Sequence, residues 1–254
     1  MLQVKTVGTG PALVWGHGLM GSMAQDESTG WFHQPASPLQ LIRYDACGHG
    51  LSARPLDARR YHWQVLAADM LRIARLHAPL PCALGGQSMG CASALLAALL
   101  QPERISKLVL ATPPTLWASR QAQQARYQQM IRLLRQRGMS SFIQLSQQNP
   151  ALPHWLLKAR PQDAAAQLES LKGFSRELLI AVLLGAAASD LPPASALRSL
   201  SQPALILAWQ GDPTHPVSSA EQLAAALPNA ELRIIDSIPQ LVDWPREIAA
   251  FVSS

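Results

Sequence analysis

A serine stands between glycines at Gly86-Gln87-Ser88-Met89-Gly90, directly after the short apolar run 82–84 and directly before the Ala/Leu-rich stretch 91–100. A serine on a sharp strand-to-helix turn has strained backbone geometry and needs small neighbours. Such a turn lifts the hydroxyl above the sheet edge. It also leaves the residue at a helix N-terminus, whose free N–H groups favour developing negative charge. The chemistry is that of a nucleophilic hydroxyl. The pattern alone is common by chance, so the strand before it and the helix after it carry the argument. The competing reading is a helix start with Ser88 as its cap.

Two more segments agree with it. His17-Gly18-Leu19-Met20-Gly21-Ser22 follows the apolar run 13–15, and its glycines let backbone N–H groups turn toward a ligand. The N–H of Leu19, with that of Met89, would form an oxyanion hole. Tyr44-Asp45-Ala46-Cys47-Gly48-His49-Gly50-Leu51-Ser52 ends the run 39–44. In this order and spacing the three segments resemble the α/β-hydrolase superfamily, most closely small bacterial esterases, lactonases and carbon–carbon hydrolases. The family pattern is His-Gly-x, then Asp-x-x-Gly-His-Gly-x-Ser, then Gly-x-Ser-x-Gly. All three stand here, with Cys47-Gly48 where Arg-Gly is common. The resemblance implies the fold and the nucleophile position. It also implies that His17 and His49 lie near the pocket and shape its loops.

A fourth segment is Trp209-Gln210-Gly211-Asp212-Pro213-Thr214-His215-Pro216. In the family an Asp in this loop, four residues before a proline, is the acid of the triad, and Asp212 matches; an Asp-Pro turn is the plainer reading. The family also has a histidine beyond the last strand, roughly 25 to 30 residues after the acid. No histidine follows His215, and Gln240 aligns with that position. Glutamine can hydrogen-bond a hydroxyl but cannot take a proton near neutral pH. Three readings follow. His215 shares a tight loop with Asp212 and activates Ser88; or the chain is a degenerate hydrolase that binds ligand; or the histidine has been replaced so that an intermediate is trapped. The expected site is therefore Ser88, Asp212 and His215 as catalytic residues, Leu19 and Met89 as the oxyanion hole, and His17, Gly18, Gln87 and Gln240 in the pocket.

The expected activity is hydrolysis of a small or medium carboxylic ester, thioester or lactone through an acyl-enzyme on Ser88, with no cofactor. A ligand-binding protein or a lyase or cyclase on the same scaffold are the alternatives, since fold does not fix function. His33, His62, His77 and His154 lack metal-ligand spacing with Cys, Asp or Glu, so no metal site is expected. Trp31, Trp117 and Trp155 fit either an apolar acyl pocket or core packing.

The elements that must position these residues alternate along the chain. Apolar runs at 13–15, 39–44, 82–84, 107–111, 204–208 and 232–235 read as strands, and 65–76, 91–100, 218–227 and 246–252 as helices. That rhythm predicts an α/β fold, with a mostly parallel twisted sheet and helices on both faces. Between 116 and 194 no strand pattern appears. This stretch reads as four or five helices broken at Gly138, Pro150, Pro161 and Gly173. The expected organisation is a core domain of residues 1–115 and 195–254 with a helical cap at 116–194. The basic helix 119–137 reads as a solvated cap face, because Gln outnumbers Arg there.

Composition narrows the partners. Of 254 residues, 48% are hydrophobic and 15% charged, which excludes a disordered chain. The net charge of +5 is spread out, with no interleaving of aromatics and basic runs, which argues against nucleic-acid binding. The most apolar stretch, 178–188, is too short to span a bilayer. Three cysteines and no signal-peptide pattern suit a reduced cytoplasm. A small-molecule acyl substrate is the expected partner, with no nucleic acid and no membrane, and a homodimer is compatible with the sequence.

Overall fold

Successive side chains of a strand point to opposite faces, so a sheet buried on both faces is built from unbroken apolar runs such as 12–16 and 204–209. The computed structural model describes residues 1–29 and 38–254, so Trp31 and His33 lie outside the described residues. Its strands are β1 (Val4–Val7), β2 (Ala12–Gly16), β3 (Gln40–Tyr44), β4 (Cys82–Gln87), β5 (Ile105–Ala111), β6 (Ala204–Trp209) and β7 (Ala230–Ile235). They form one sheet in the order β1-β3-β2-β4-β5-β6-β7. Every pairing is parallel except β1 with β3, which is antiparallel with Val4 opposite Tyr44. β1 is the element the sequence pattern does not announce. Val-Lys-Thr-Val is short, lies at the sheet edge and is mostly exposed, so it carries little hydrophobic signal.

The helices are α1 (Met23–Ser28), α2 (Trp63–His77), α3 (Met89–Leu100), α4 (Arg120–Gln148), α5 (His154–Ala159), α6 (Pro161–Lys172), α7 (Arg176–Ala187), α8 (Ala194–Leu197), α9 (Val217–Ala226) and α10 (Ile238–Ser253). On one face of the sheet Val14, Ile42, Leu84 and Ile206 pack with α2, α3 and α9. On the other, Leu13, Leu41, Val109 and Leu207 pack with Trp244, Ile248 and Val252 of α10. α10 begins eight residues before the expected helix at 246, with Pro239 in its first turn, where proline lacks no needed hydrogen bond, and Pro245 inside it.

Between β5 and β6 the chain forms only helices, α4 to α8. Gly138, at φ 74° and ψ −175°, breaks α4 at the position where the sequence suggested a boundary. The apolar stretch near 178–188 is α7, with most of its residues buried. Among the described residues no helix is long and apolar enough to cross a membrane.

Candidate active site

Ser88 joins β4 to α3 with φ 52° and ψ −105°, a conformation that L side chains rarely adopt. Its N–H donates to Ala111 O at the end of β5 (3.0 Å), which ties the turn to the sheet. The flanking glycines serve packing as well as the turn. A Cβ on Gly90 would lie 2.0 Å from Gly16 O, and one on Gly86 would lie 2.6 Å from the same atom. Only glycine lets α3 start this close to the end of β2.

The loop after β6 supplies two partners at once. Asp212 Oδ1 accepts from the N–H groups of Thr214 (2.7 Å) and His215 (2.9 Å), which folds the loop back on the carboxylate. Asp212 Oδ2 meets His215 Nδ1 at 2.9 Å and accepts from the Trp209 indole N–H. His215 Nε2 lies 2.8 Å from Ser88 Oγ. With the carboxylate on Nδ1, that nitrogen carries the proton and Nε2 presents its lone pair to the serine. Burial pushes the Asp212 carboxyl up, but the His215 charge and the hydrogen bonds from His215, Trp209 and Thr214 outweigh it and hold the group below its ordinary range. The acid is therefore ionised where the imidazole needs it.

On the other side of Ser88 the loop after β2 is pinned by two histidines. His17 Nδ1–H donates to Gly18 O (2.8 Å) and Nε2 accepts from Ala46 N–H (3.0 Å). His49 Nδ1–H donates to Cys47 O (2.8 Å) and Nε2 accepts from Met20 N–H (3.1 Å). Both must be neutral to accept. Burial pushes the His17 pKa down, and burial with the neighbouring His17 pushes His49 down to about 3. Gly21 N–H closes the turn on Gly18 O at 3.0 Å. Asp45 fixes the adjoining loop, accepting from Met23 N–H and Leu51 N–H, both at 2.8 Å. Among the described residues Leu19 N–H is left without a protein acceptor. Met89 is the first residue of α3, whose N–H has no intrahelical acceptor. The loop runs close to the serine, since a Cβ on Gly18 would lie 3.7 Å from Ser88 Cβ.

A cavity of about 250 Å³ opens over this set, lined by Ser88, His215, Gly18, Leu19 and Gln87. Two expected pocket residues lie elsewhere. His17 is buried behind the loop that it shapes, outside the lining. Gln240 is exposed, and its Oε1 accepts from Asp236 N–H (3.2 Å) and the Ser237 hydroxyl (2.8 Å). Because α10 already begins at Ile238, Gln240 falls in its first turn and folds back on the residues that precede it. Trp117 and Trp155 do not line this cavity either. Trp117 Nε1–H donates to Pro192 O (2.8 Å) and Trp155 Nε1–H to Gln210 O (3.0 Å).

Trp209 has a part that sequence reading left unassigned. It bonds the acid, stacks on Trp244 (5.6 Å between centroids) and takes the edge of Trp155. Its signal was present, a tryptophan at the strand end three residues before Asp212. Arg126 and Trp155, which donate to Pro213 O (3.1 Å) and Gln210 O, left no such signal, because their partners are 87 and 55 residues away. Among the described residues no three His, Cys, Asp or Glu side chains gather as a metal site.

The family model described as alpha/beta hydrolase fold matches residues 11–238 of the chain. Among curated relatives, 3-oxoadipate enol-lactonase 2 of Acinetobacter baylyi is 26% identical over 202 residues, covering 78% of this chain and 70% of that protein. The enol-lactonase from Burkholderia xenovorans LB400 superposes with a TM-score of 0.82 at 18% identity, covering 100% of this chain and 96% of that one. The esterase EaEST from Exiguobacterium antarcticum gives 0.81 at 19% identity, with 100% and 96% covered. At these identities the two structures are similar in fold.

Proposed function

Because the chain belongs to the alpha/beta hydrolase fold family, we propose that it is a serine hydrolase, cleaving a small or medium carboxylic ester, thioester or lactone through an acyl-enzyme on Ser88. The observation that carries this reading is the unbroken hydrogen-bonded line from Asp212 through His215 to Ser88 Oγ. Ser88 Oγ attacks the carbonyl carbon while His215 Nε2 takes its proton. The N–H groups of Leu19 and Met89 hold the oxyanion. The tetrahedral intermediate collapses, the C–O or C–S bond breaks, and His215 returns the proton to the leaving group. Water, deprotonated in turn by His215, attacks the acyl carbon and releases the acid. Asp212 holds the imidazole in the needed tautomer and stabilises its cation. Residues 116–194 form the cap over the cavity in this reading.

The ligand-binding alternative drew on Gln240 standing in place of the base. His215 at 2.8 Å from Ser88 Oγ supports the hydrolase reading over it. Hydrolysis of short-chain 4-nitrophenyl esters by the wild type, Ser88→Ala and His215→Ala is the test. Loss of a triad member is expected to lower kcat by about 10³- to 10⁶-fold. Wild-type turnover that survives Ser88→Ala would sink the proposal.

A further inference from the structure

α4 lines one side of the Ser88 cavity with Arg120, Gln123, Tyr127 and Met130, the spacing of a single helix face. The Met130 end is apolar and continues into Phe142 and Leu171. The other end is not. Arg120 is 1% exposed, yet among the described residues no carboxylate lies within ion-pair distance of it. Its Nε–H donates to Ser189 O (2.8 Å) and its Nη2–H to Ala186 O (2.6 Å), both at the C-terminal end of α7. Its Nη1 is only loosely placed at 3.4 Å from Thr115 Oγ1. The rings of Trp63 and Tyr127 lie 4.2 and 5.5 Å from the guanidinium carbon. Helix-end carbonyls supply about half an elementary charge and Asp190 acts on Arg120 from beyond ion-pair distance, so the guanidinium is the charge that borders the cavity.

Gln123, one turn along, is 5% exposed, and its Oε1 is buried with no protein partner among the described residues. No hydrogen bond from its Nε2 is made there either. A free terminal amide can rotate to present either atom to a ligand. The other charged side chains lining the cavity, besides His215, are Arg126 and Asp26. Arg126 donates to Pro213 O. Burial lifts the Asp26 carboxyl to about 7 against the pull of Arg43 and the Trp15 indole. Arg120 and Arg126 therefore set positive charge on the same helix as a buried amide that lacks a partner among the described residues.

We propose that Arg120, Gln123 and Thr115 form a subsite for a carboxylate on the substrate, so that the preferred substrates are half-esters or lactones that carry an acid group. The Gln123 amide N–H and the Thr115 hydroxyl donate to the carboxylate, within the field of the Arg120 guanidinium. This inference rests on the reading of Ser88 as the nucleophile, which puts the substrate in this cavity.

The test measures binding apart from turnover. Calorimetry compares monomethyl glutarate with methyl hexanoate on Ser88→Ala, and again on Ser88→Ala carrying Gln123→Glu, with thermal melting as the check on folding. The half-ester is expected to bind about tenfold more tightly or better, the range of one hydrogen bond to a charged group. Gln123→Glu, which sets a carboxylate beside Arg120, is expected to bring the ratio to one or below. Equal binding of the two probes, a ratio unmoved by Gln123→Glu, or no binding of the half-ester up to about 10 mM would each overturn the subsite. In parallel, 4-nitrophenyl hemiglutarate and 4-nitrophenyl hexanoate are offered to the wild type. A binding preference without turnover of either ester would sink the hydrolase reading and leave the subsite standing.

Discussion

His215 and Asp212 are three residues apart, so one loop carries both the imidazole that meets Ser88 and the carboxylate behind it. The resemblance had pointed to a base beyond the last strand, and counting residues from the acid led to Gln240. Position in the count is a poor guide there, because what decides where Gln240 points is the start of α10. Restoring a histidine with Gln240→His is therefore expected to leave kcat within about twofold of wild type, as surface changes away from a site usually do; steady-state kinetics checks this. Asp212→Asn offers an N–H to Nδ1 in place of a carboxylate, which favours the wrong tautomer, and is expected to cost about 10⁴-fold in kcat. Trp209→Phe removes one hydrogen bond from the buried acid while keeping a ring between Trp155 and Trp244. A fall of about tenfold in kcat with KM little changed is expected. An unchanged kcat would show that the indole N–H does nothing for the acid.

At the scale of elements, the site depends on how closely α3 approaches β2 and on what holds the 210–216 loop. Gly90→Ala would drive a methyl to 2.0 Å from a backbone oxygen that cannot move aside. It is expected to destabilise by about 3 kcal/mol or more, read as a lowered Tm or lost expression. The loop is tied to the helical segment between β5 and β6 by Arg126 and Trp155. Trp155→Phe keeps the edge-on contact with Trp209 and loses only the hydrogen bond to Gln210 O. A three- to tenfold loss in kcat is expected, about one net hydrogen bond, and Arg126→Met combined with it is expected to lose more. The serine turn was legible in the sequence because its strain and close packing demand Gly86 and Gly90. His215 was legible because its partner is local. The Trp155 and Arg126 ties were not, since nothing near residue 126 or 155 marks a partner in the loop after β6.

For the whole molecule, the nearly unbroken burial along β2 to β6 made the two-sided core readable as continuous apolar runs, while β1 escaped because an exposed edge strand carries almost no apolar pattern. The same burial sets a pH dependence. The buried His49 pKa is pushed from its ordinary 6.5 to about 3. A base whose folded pKa is depressed contributes stability above its unfolded value, and that stability is lost as pH falls from 6.5 toward 3. At pH 5 the loss from His49 amounts to about 2 kcal/mol. Asp26, raised to about 7, works the other way, gaining stability as pH falls from about 7 toward 3.8. Comparing the wild type with His49→Gln cancels that second effect. Melting between pH 7.5 and 5 is expected to show the wild type losing about 2 kcal/mol relative to the variant as pH falls; a difference that does not change with pH would mean that His49 does not stay neutral in the folded protein.

If His215 activates Ser88, the serine reacts with fluorophosphonates, since such reagents modify serines that a base already reaches; intact-mass spectrometry after treatment reads this out. A single adduct is expected on the wild type, none on Ser88→Ala, and labelling of His215→Ala slowed by about 10³-fold or more. Wild-type protein that takes no adduct, or a His215→Ala protein labelled as fast as wild type, would contradict it.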